Sequence, residues 1–198
     1  MHSLIHTLRR NRPVSFEGRS SRLYDLAARR VLRRVYRRLA ADVATAAPDG
    51  GAVLDIGTGP GVLLAELAAH RPDLRLTGVD LSTDMVTAAT RNLAPFGDRA
   101  AVHVGDVTRL PFPDRSFDLI VSSLSLHHWE HPEAAVPELA RVLRPGGQVR
   151  IYDFPFAPFD TLTQTARARS VLSGRPPEQT PVRTGIPFLR GVRYVMSA

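Results

Sequence analysis

Three sets of side chains in this sequence have types and spacings that could do chemistry. The first is Val53-Leu54-Asp55-Ile56-Gly57-Thr58-Gly59-Pro60-Gly61, an acid followed by three glycines at alternate positions. Glycines there can turn the chain sharply and leave room for a ligand to lie against bare backbone. The second set is two further acids, Asp80 and Asp106, each closing a short apolar run. A carboxylate in such a place accepts hydrogen bonds from hydroxyl or amino groups. The third is the adjacent pair His127-His128, whose side-chain type changes protonation near neutral pH and can act as a base. Asp153, beyond the last strong apolar run, is a further polar candidate without an assigned role.

Elements must hold these groups. Ala52 to Ile56 reads as a buried strand and Val62 to Ala69 as a helix, so the glycine loop joins strand to helix N-terminus. That helix end offers unpaired N–H groups and the positive end of a dipole. Strand, glycine turn and helix open a nucleotide-binding βαβ unit. Leu74 to Val79 reads as a second strand ending at Asp80, and Ser82 caps a helix over residues 83–94. At a strand tip Asp80 can bind both hydroxyls of a ribose, or serve only as a helix-flanking turn acid. Residues 101–104 read as a third strand before Asp106, and Phe117 begins a fourth that ends at Ser122. His103 sits inside a strand and reads as a packed or surface residue. Leu110 to Pro113 is stiffened by two prolines. Pro132 opens a helix running to Arg141 or Leu143, a turn at 144–147 follows, and Gln148 to Tyr152 reads as a fifth strand.

The flanks differ in character. Residues 1–21 show no clear period. From Arg22 to Val43, Tyr24, Val31, Val35 and Leu39 recur at helical spacing with arginines off the stripe, an amphipathic cationic helix. Its arginine face reads as solvated, or as a surface for anionic lipid or nucleic acid. The expected organisation is an arm and packing helix over 1–49 and a catalytic domain over 50–198. Residues 159–172 can form a helix, residues 175–187 read as a proline-containing loop, and 192–196 as a final strand.

The chain has 198 residues, 43% hydrophobic and 23% charged, ordinary for one globular domain. It has no run of about 18 apolar residues, so no transmembrane segment is expected. It has no cysteine, and no metal-ligand spacing stands out. The simplest expected location is cytoplasmic. A net charge of +7 invites a nucleic-acid reading. However, every basic residue is arginine, and alanine, glycine and proline are also plentiful, a compositional habit rather than a binding signature. Nucleic acid is therefore not the expected partner.

The glycine spacing is G-x-G-x-G rather than the dinucleotide G-x-G-x-x-G, with Val62 where a third dehydrogenase glycine would fall. VLDIGTGPG resembles motif I of the class I S-adenosylmethionine-dependent methyltransferases. GVDLS, VGDVTRLPFPDRSFDLIVS, LHHWEHP and RVLRPGG follow in order at compatible spacing. Together, over roughly residues 50 to 153, they resemble the small-molecule branch that includes ubiquinone and menaquinone C-methyltransferases.

The resemblance implies an α/β fold, a doubly wound Rossmann-like, mostly parallel sheet with helices on both faces. The C-terminal edge is expected to be shortened or rebuilt, and a second copy of the chain could cover it. It implies S-adenosylmethionine as cofactor and methyl transfer to a small molecule by in-line displacement. By carry-over, Asp55, Gly57, Thr58, Gly59 and Gly61 surround the methionine moiety. Asp80 takes the ribose, Leu81 and Met85 flank the adenine, and Asp106 takes the adenine amino group with Val107 beside it. Ser122 and Ser123 sit where the fourth strand opens onto the methyl group. His127 and His128 are base candidates or pocket-shaping residues. Trp129 reads as a pocket wall or as core, and Tyr24 as reaching over the cofactor or as plain packing. The alternatives are a nucleic-acid methyltransferase, against which Ser122-Ser123-Leu124-Ser125 is no N/D-P-P-Y stretch, and a non-catalytic, methyltransferase-like cofactor-binding protein.

Overall fold

A computed structural model describes residues 33–183 and 190–198. Tyr24, Val31 and the first half of the expected N-terminal helix lie outside the described residues. The elements are α1 (Arg33–Ala46), β1 (Ala52–Ile56), α2 (Val62–His70), β2 (Arg75–Asp80), α3 (Thr83–Leu93), β3 (Ala100–Val104), β4 (Phe117–Ser123), α4 (Pro132–Val142), β5 (Leu143–Asp153), α5 (Phe159–Arg169), β6 (Glu178–Arg183) and β7 (Arg190–Ser197). Seven strands form one sheet in the order β3-β2-β1-β4-β5-β7-β6. The first five pair in parallel, and β7 runs antiparallel between β5 and β6.

Alternation along the central strands divides the core into two layers. Leu54, Ile56, Ile120 and Ile151 face a cluster with Val136, Leu139, Phe159 and Leu162. Val53, Leu119, Val121 and Tyr152 face the opposite one, with Leu63, Leu64, Leu67 and the stripe of α1. Side chains of successive strand residues point to opposite faces, so apolar runs such as β1 serve both layers. In α1, Val35, Tyr36, Leu39, Ala40 and Val43 are buried. Each large side chain so buried stabilises by about 1.5–3 kcal/mol, more than a surface ion pair supplies. The described part of the helix therefore packs rather than standing free. Its polar side is tied down as well: Tyr152 donates to Asp42 at 2.5 Å, Arg193 at 2.8 Å, and Arg33 reaches Glu66 at 2.8 Å.

The C-terminal edge is built differently in detail from its sequence reading. Residues 175–187, read as loop, contain β6, which pairs with β7. Pro181 sits in this strand, at the sheet edge, where a residue without an N–H is tolerated. The turn expected at 144–147 lies inside β5. The β4–β5 register passes from Phe117↔Leu143 to Leu119↔Gln148, so those four residues bulge out, with Gly146 at φ 78°.

Candidate active site

Parallel register brings the C-terminal ends of β1, β2, β4 and β5 to one edge of the sheet. Ile56 lies beside Val79 and Ser122, Ser123 beside Tyr152, and Asp80 beside Val104. The strand order reverses between β1 and β4, the crevice where ligands bind in open α/β sheets. All of the candidate acids close strands on this side or follow them directly.

The glycine loop is held by its own backbone and by its neighbours. Gly57, Gly59 and Gly61 have φ of 67°, 54° and 75°, so each glycine of the alternate spacing supplies a left-handed turn. Gly57 and Thr58 donate N–H to Val79 O at 2.9 and 3.1 Å, which clamps the loop to β2. A Cβ built on Gly57 would lie 1.9 Å from Ser125 Oγ. The loop therefore touches the turn that follows β4, at a position too close to admit a side chain. Gly61 caps α2 and lies against α3, where a Cβ would come within 3.2 Å of Ala89.

Asp55, at the floor of this loop, is fully buried. Thr58 donates its hydroxyl to Asp55 Oδ2 at 2.8 Å, and Oδ1 has no hydrogen-bond partner. Burial raises the carboxyl to about 7, against the lowering by Thr58, with the charge of Asp80 adding to the rise. A buried acceptor without a donor costs about 1–3 kcal/mol, and its chemistry calls for a donor, ideally a cation. Asp80 bridges the loop to the next strand. Its Oδ2 accepts from Gly59 N at 2.8 Å and its Oδ1 from Ser82 N at 2.9 Å. Burial nevertheless raises its carboxyl above the usual range. Two bonds use about half the lone-pair sites of a carboxylate, leaving acceptor capacity for a pair of hydroxyls.

Beyond Asp80 the surface turns apolar. Leu81 is 74% exposed and Val104 49%, an uncovered apolar edge. Asp106 follows β3, exposed, its Oδ1 taken by Thr108 N at 2.8 Å; Val107 packs against the core beside it. Gly105 N donates to Asp80 O at 3.0 Å, which holds the two acids' loops together. Met85 stands in the first turn of α3. It is buried, 3% exposed, whereas Leu81 is the exposed one of the two.

The β4 side holds the remaining candidates. Ser122 is buried and donates to Ile56 O at 2.8 Å, so its hydroxyl ties β4 to β1. Ser123 is buried at the strand end. Leu124 then takes φ 54°, uncommon for a branched side chain, while donating its N–H to Tyr152 O at 2.8 Å. This turn swings Leu126–His128 into a single 3-10 turn over the edge. Trp129 Nε1 donates to Ser125 Oγ at 3.0 Å and its ring packs on the core, so it supports the turn that touches the glycine loop. His127 Nδ1 lies 2.7 Å from Asp153 Oδ1, and the His127 backbone N–H donates to Asp153 Oδ2 at 3.2 Å. His128 is exposed, and partial burial first, then neighbouring His127, lowers its pKa.

Sequence reasoning placed most of these residues at one edge but missed the His127–Asp153 contact, the role of Ser125 and the aromatic pair Phe154–Phe156. The rings of that pair stack 5.3 Å apart beside His127. An available signal was the order of β1, β4 and β5, which sets the end of β5 beside the residues after Ser123. Among the described residues no group of three or more His, Asp or Glu side chains is placed to hold a metal ion.

A nucleoside bearing an amino-acid tail fits these residues on three grounds: an orphaned buried carboxylate oxygen, a bare-backbone cradle, and a strand-tip acid with spare acceptor sites. The comparisons agree with that fit. A methyltransferase domain model matches residues 53–147. A demethylmenaquinone methyltransferase of Roseiflexus castenholzii is 44% identical over 110 residues, 55% of this chain and 45% of that protein. A 27-O-demethylrifamycin SV methyltransferase of Amycolatopsis mediterranei is 36% identical over 111 residues, 55% of this chain and 40% of that one. The chain thus spans less than half the length of these curated relatives. A SAM-dependent methyltransferase of Aquifex aeolicus shares the fold at a TM-score of 0.68 and 18% identity, covering 92% of this chain and 98% of its own. Residues 53–147 match a methyltransferase domain, and over them the chain is similar to S-adenosylmethionine-dependent methyltransferases of the class I fold.

Proposed function

We propose that this chain transfers a methyl group from S-adenosylmethionine to a small-molecule acceptor. The observation that carries the reading is the orphaned Asp55 oxygen beneath a loop of three left-handed glycines bonded to Asp80. S-adenosylmethionine supplies a methyl on a positively charged sulfur, which departs as a neutral thioether. The protein's work is then chiefly to bind, orient and exclude water. Asp55 would answer the ligand's ammonium group. Gly57, Thr58, Gly59 and Gly61 would lie along its amino-acid tail. Asp80 would accept from the ribose hydroxyls, Leu81 and Met85 would flank the base, and Asp106 would accept from its amino group, with Val107 beside it. Ser122 and Ser123 would set the floor beneath the transfer point. His127, His128 and Trp129 would border the acceptor.

A small acceptor is favoured over nucleic acid for two reasons. The relatives' names attach methyl transfer to demethylmenaquinone and to a rifamycin. Many arginines are also spent inside the molecule: Arg71, Arg141, Arg144, Arg150 and Arg193 all bind acids or backbone carbonyls of the chain. We also place the boundary between the arm and the catalytic domain near residue 50, and a second copy at the β6 edge. No helix among the described residues is long and apolar enough to cross a membrane.

Calorimetry tests the core of this reading. S-adenosylmethionine and its demethylated product are expected to bind in the micromolar range and NAD not at all. No heat with either ligand, or a preference for NAD, overturns it. Light scattering of the full chain tests the second copy, and a monomer at all concentrations removes it.

A further inference from the structure

A cavity of about 270 Å³ lies between α1 and the β6–β7 edge of the sheet, with Arg38, Arg193, Thr180 and Asp42 as its polar lining. We propose that this cavity binds a small organic anion, a carboxylate or phosphate group carried on an apolar body. It is separate from the cofactor loop, because β4 and β5 stand between β1 and β7. The proposal stands without the methyl-transfer reading.

Strand register builds the site. Tyr152 of β5 is the cross-strand partner of Arg193 of β7, which is in turn the partner of Thr180 of β6. The three side chains therefore share one face, and Tyr152 packs in the cluster that α1 covers. Two residues along, alternation brings Gly191 of β7 to the same face opposite Val182 of β6, and the glycine puts no side chain there. Arg193 is held from two sides. Its Nε donates to Thr180 Oγ1 at 3.1 Å and its Nη1 to Asp42 Oδ1 at 2.8 Å.

Charge decides the kind of ligand. Asp42 is the acid that pairs with both Arg150 and Arg193, and it also accepts from the Tyr152 hydroxyl. Each of its oxygens has a donor, and one negative charge answers two positive ones. A cation would find no open acceptor on Asp42 and would face the guanidinium groups of Arg38 and Arg193. An anion would find donors. Nη2 of Arg193 has no partner among the described residues, and the side chain is 26% exposed. Thr180 accepts from Arg193 and keeps its own hydroxyl proton to donate. Arg38, exposed and one helical turn before Asp42, lines the same space. Planar guanidinium groups with open N–H donors match carboxylate and phosphate oxygens. The rest of the wall is apolar, from Leu39, Pro181 and Val182. Ligand cavities begin at about 300 Å³, so this one suits a single ring or short chain ended by an anionic group rather than a bare ion.

Amide shifts of the nitrogen-15-labelled full chain, titrated with benzoate, phenyl phosphate, benzyl alcohol and inorganic phosphate, test the proposal. Benzoate or phenyl phosphate is expected to shift Thr180, Val182 and Arg193 saturably and to leave Gly57 and Gly59 of the cofactor loop in place. The tighter of the two names the anionic group. Benzyl alcohol keeps the ring without the charge, and inorganic phosphate keeps the charge without the ring, so each should bind about tenfold more weakly. Arg38→Gln leaves the Arg193–Asp42 pair intact and should weaken the anion about tenfold. Absence of a saturable shift with either organic anion, or shifts confined to the cofactor loop, overturns the site. Benzyl alcohol binding as well as benzoate would show an apolar pocket only, and inorganic phosphate binding as well would show a charged patch only. Either result overturns the proposal, as does an unchanged affinity in Arg38→Gln.

Discussion

Asp55 and Asp153 are both fully buried carboxylates at the C-terminal end of the sheet, separated by β4, yet they are built for opposite ends. Each oxygen of Asp153 has a protein donor; Asp55 keeps one oxygen with none. A buried acid that the protein satisfies itself is a fixture that orients a neighbour. A buried acid left half-satisfied costs stability until something else arrives. The two halves of the site therefore differ in kind. The β1–β2 half keeps an acceptor open, and the β4–β5 half satisfies its own.

The hardest blow to the open half is Asp80→Ala. Two charge-assisted bonds to a ribose would be lost, at about 1.5–3 kcal/mol each, so cofactor affinity should fall by about 3–6 kcal/mol while the fold persists. An unchanged dissociation constant in calorimetry refutes the ribose assignment.

Asp55→Asn sharpens the comparison through pH. With its carboxyl raised from 3.8 to about 7, the folded protein holds a proton there that the unfolded chain has released. Stability from this group is thus whole below about pH 4 and is lost as pH rises to about 7, with a difference on the order of 4 kcal/mol at most. In denaturant melts of the ligand-free protein, Asp55→Asn should flatten this fall and be more stable than wild type at pH 8, while binding cofactor more weakly. A wild-type curve that does not fall between these pH values shows that Asp55 is not the strained acid it is taken to be.

Gly57→Ala strikes where the halves touch. A positive φ and a Cβ 1.9 Å from Ser125 Oγ should destabilise the fold by about 2–3 kcal/mol. Pairing it with Ser125→Gly should return part of that loss. If the double variant melts no higher than the single one, the loop and the β4 turn are not in the contact described. The gentlest change is Asp106→Ala, an exposed acid that should cost cofactor affinity only about 0.5–1.5 kcal/mol. A larger loss would move weight from Asp80 to Asp106.

The same contrast explains what could be read from the sequence. The cofactor half is local: an acid and three glycines within seven residues need no knowledge of the sheet, and each glycine has the left-handed φ its spacing suggests. His127 and Asp153 are 26 residues apart and meet only because β4 and β5 are neighbours, which no periodicity reveals. Met85 was legible only in part, for a related reason. Its position after Asp80 is legible, but which face of α3 it occupies depends on packing, and packing buries it. β6 was hidden by Pro181, a residue that argues against a strand everywhere except at a sheet edge.

Leu124 has a consequence for the order in which the molecule assembles. A left-handed leucine costs on the order of 1–3 kcal/mol, so it is not adopted by the chain on its own. Its N–H bond to Tyr152 can form only after β5 has docked beside β4. The turn bearing His127 should therefore be a late event in folding, laid down on a sheet already paired. In kinetic terms, Leu124 substitutions should register in the unfolding rate and leave the refolding rate nearly untouched.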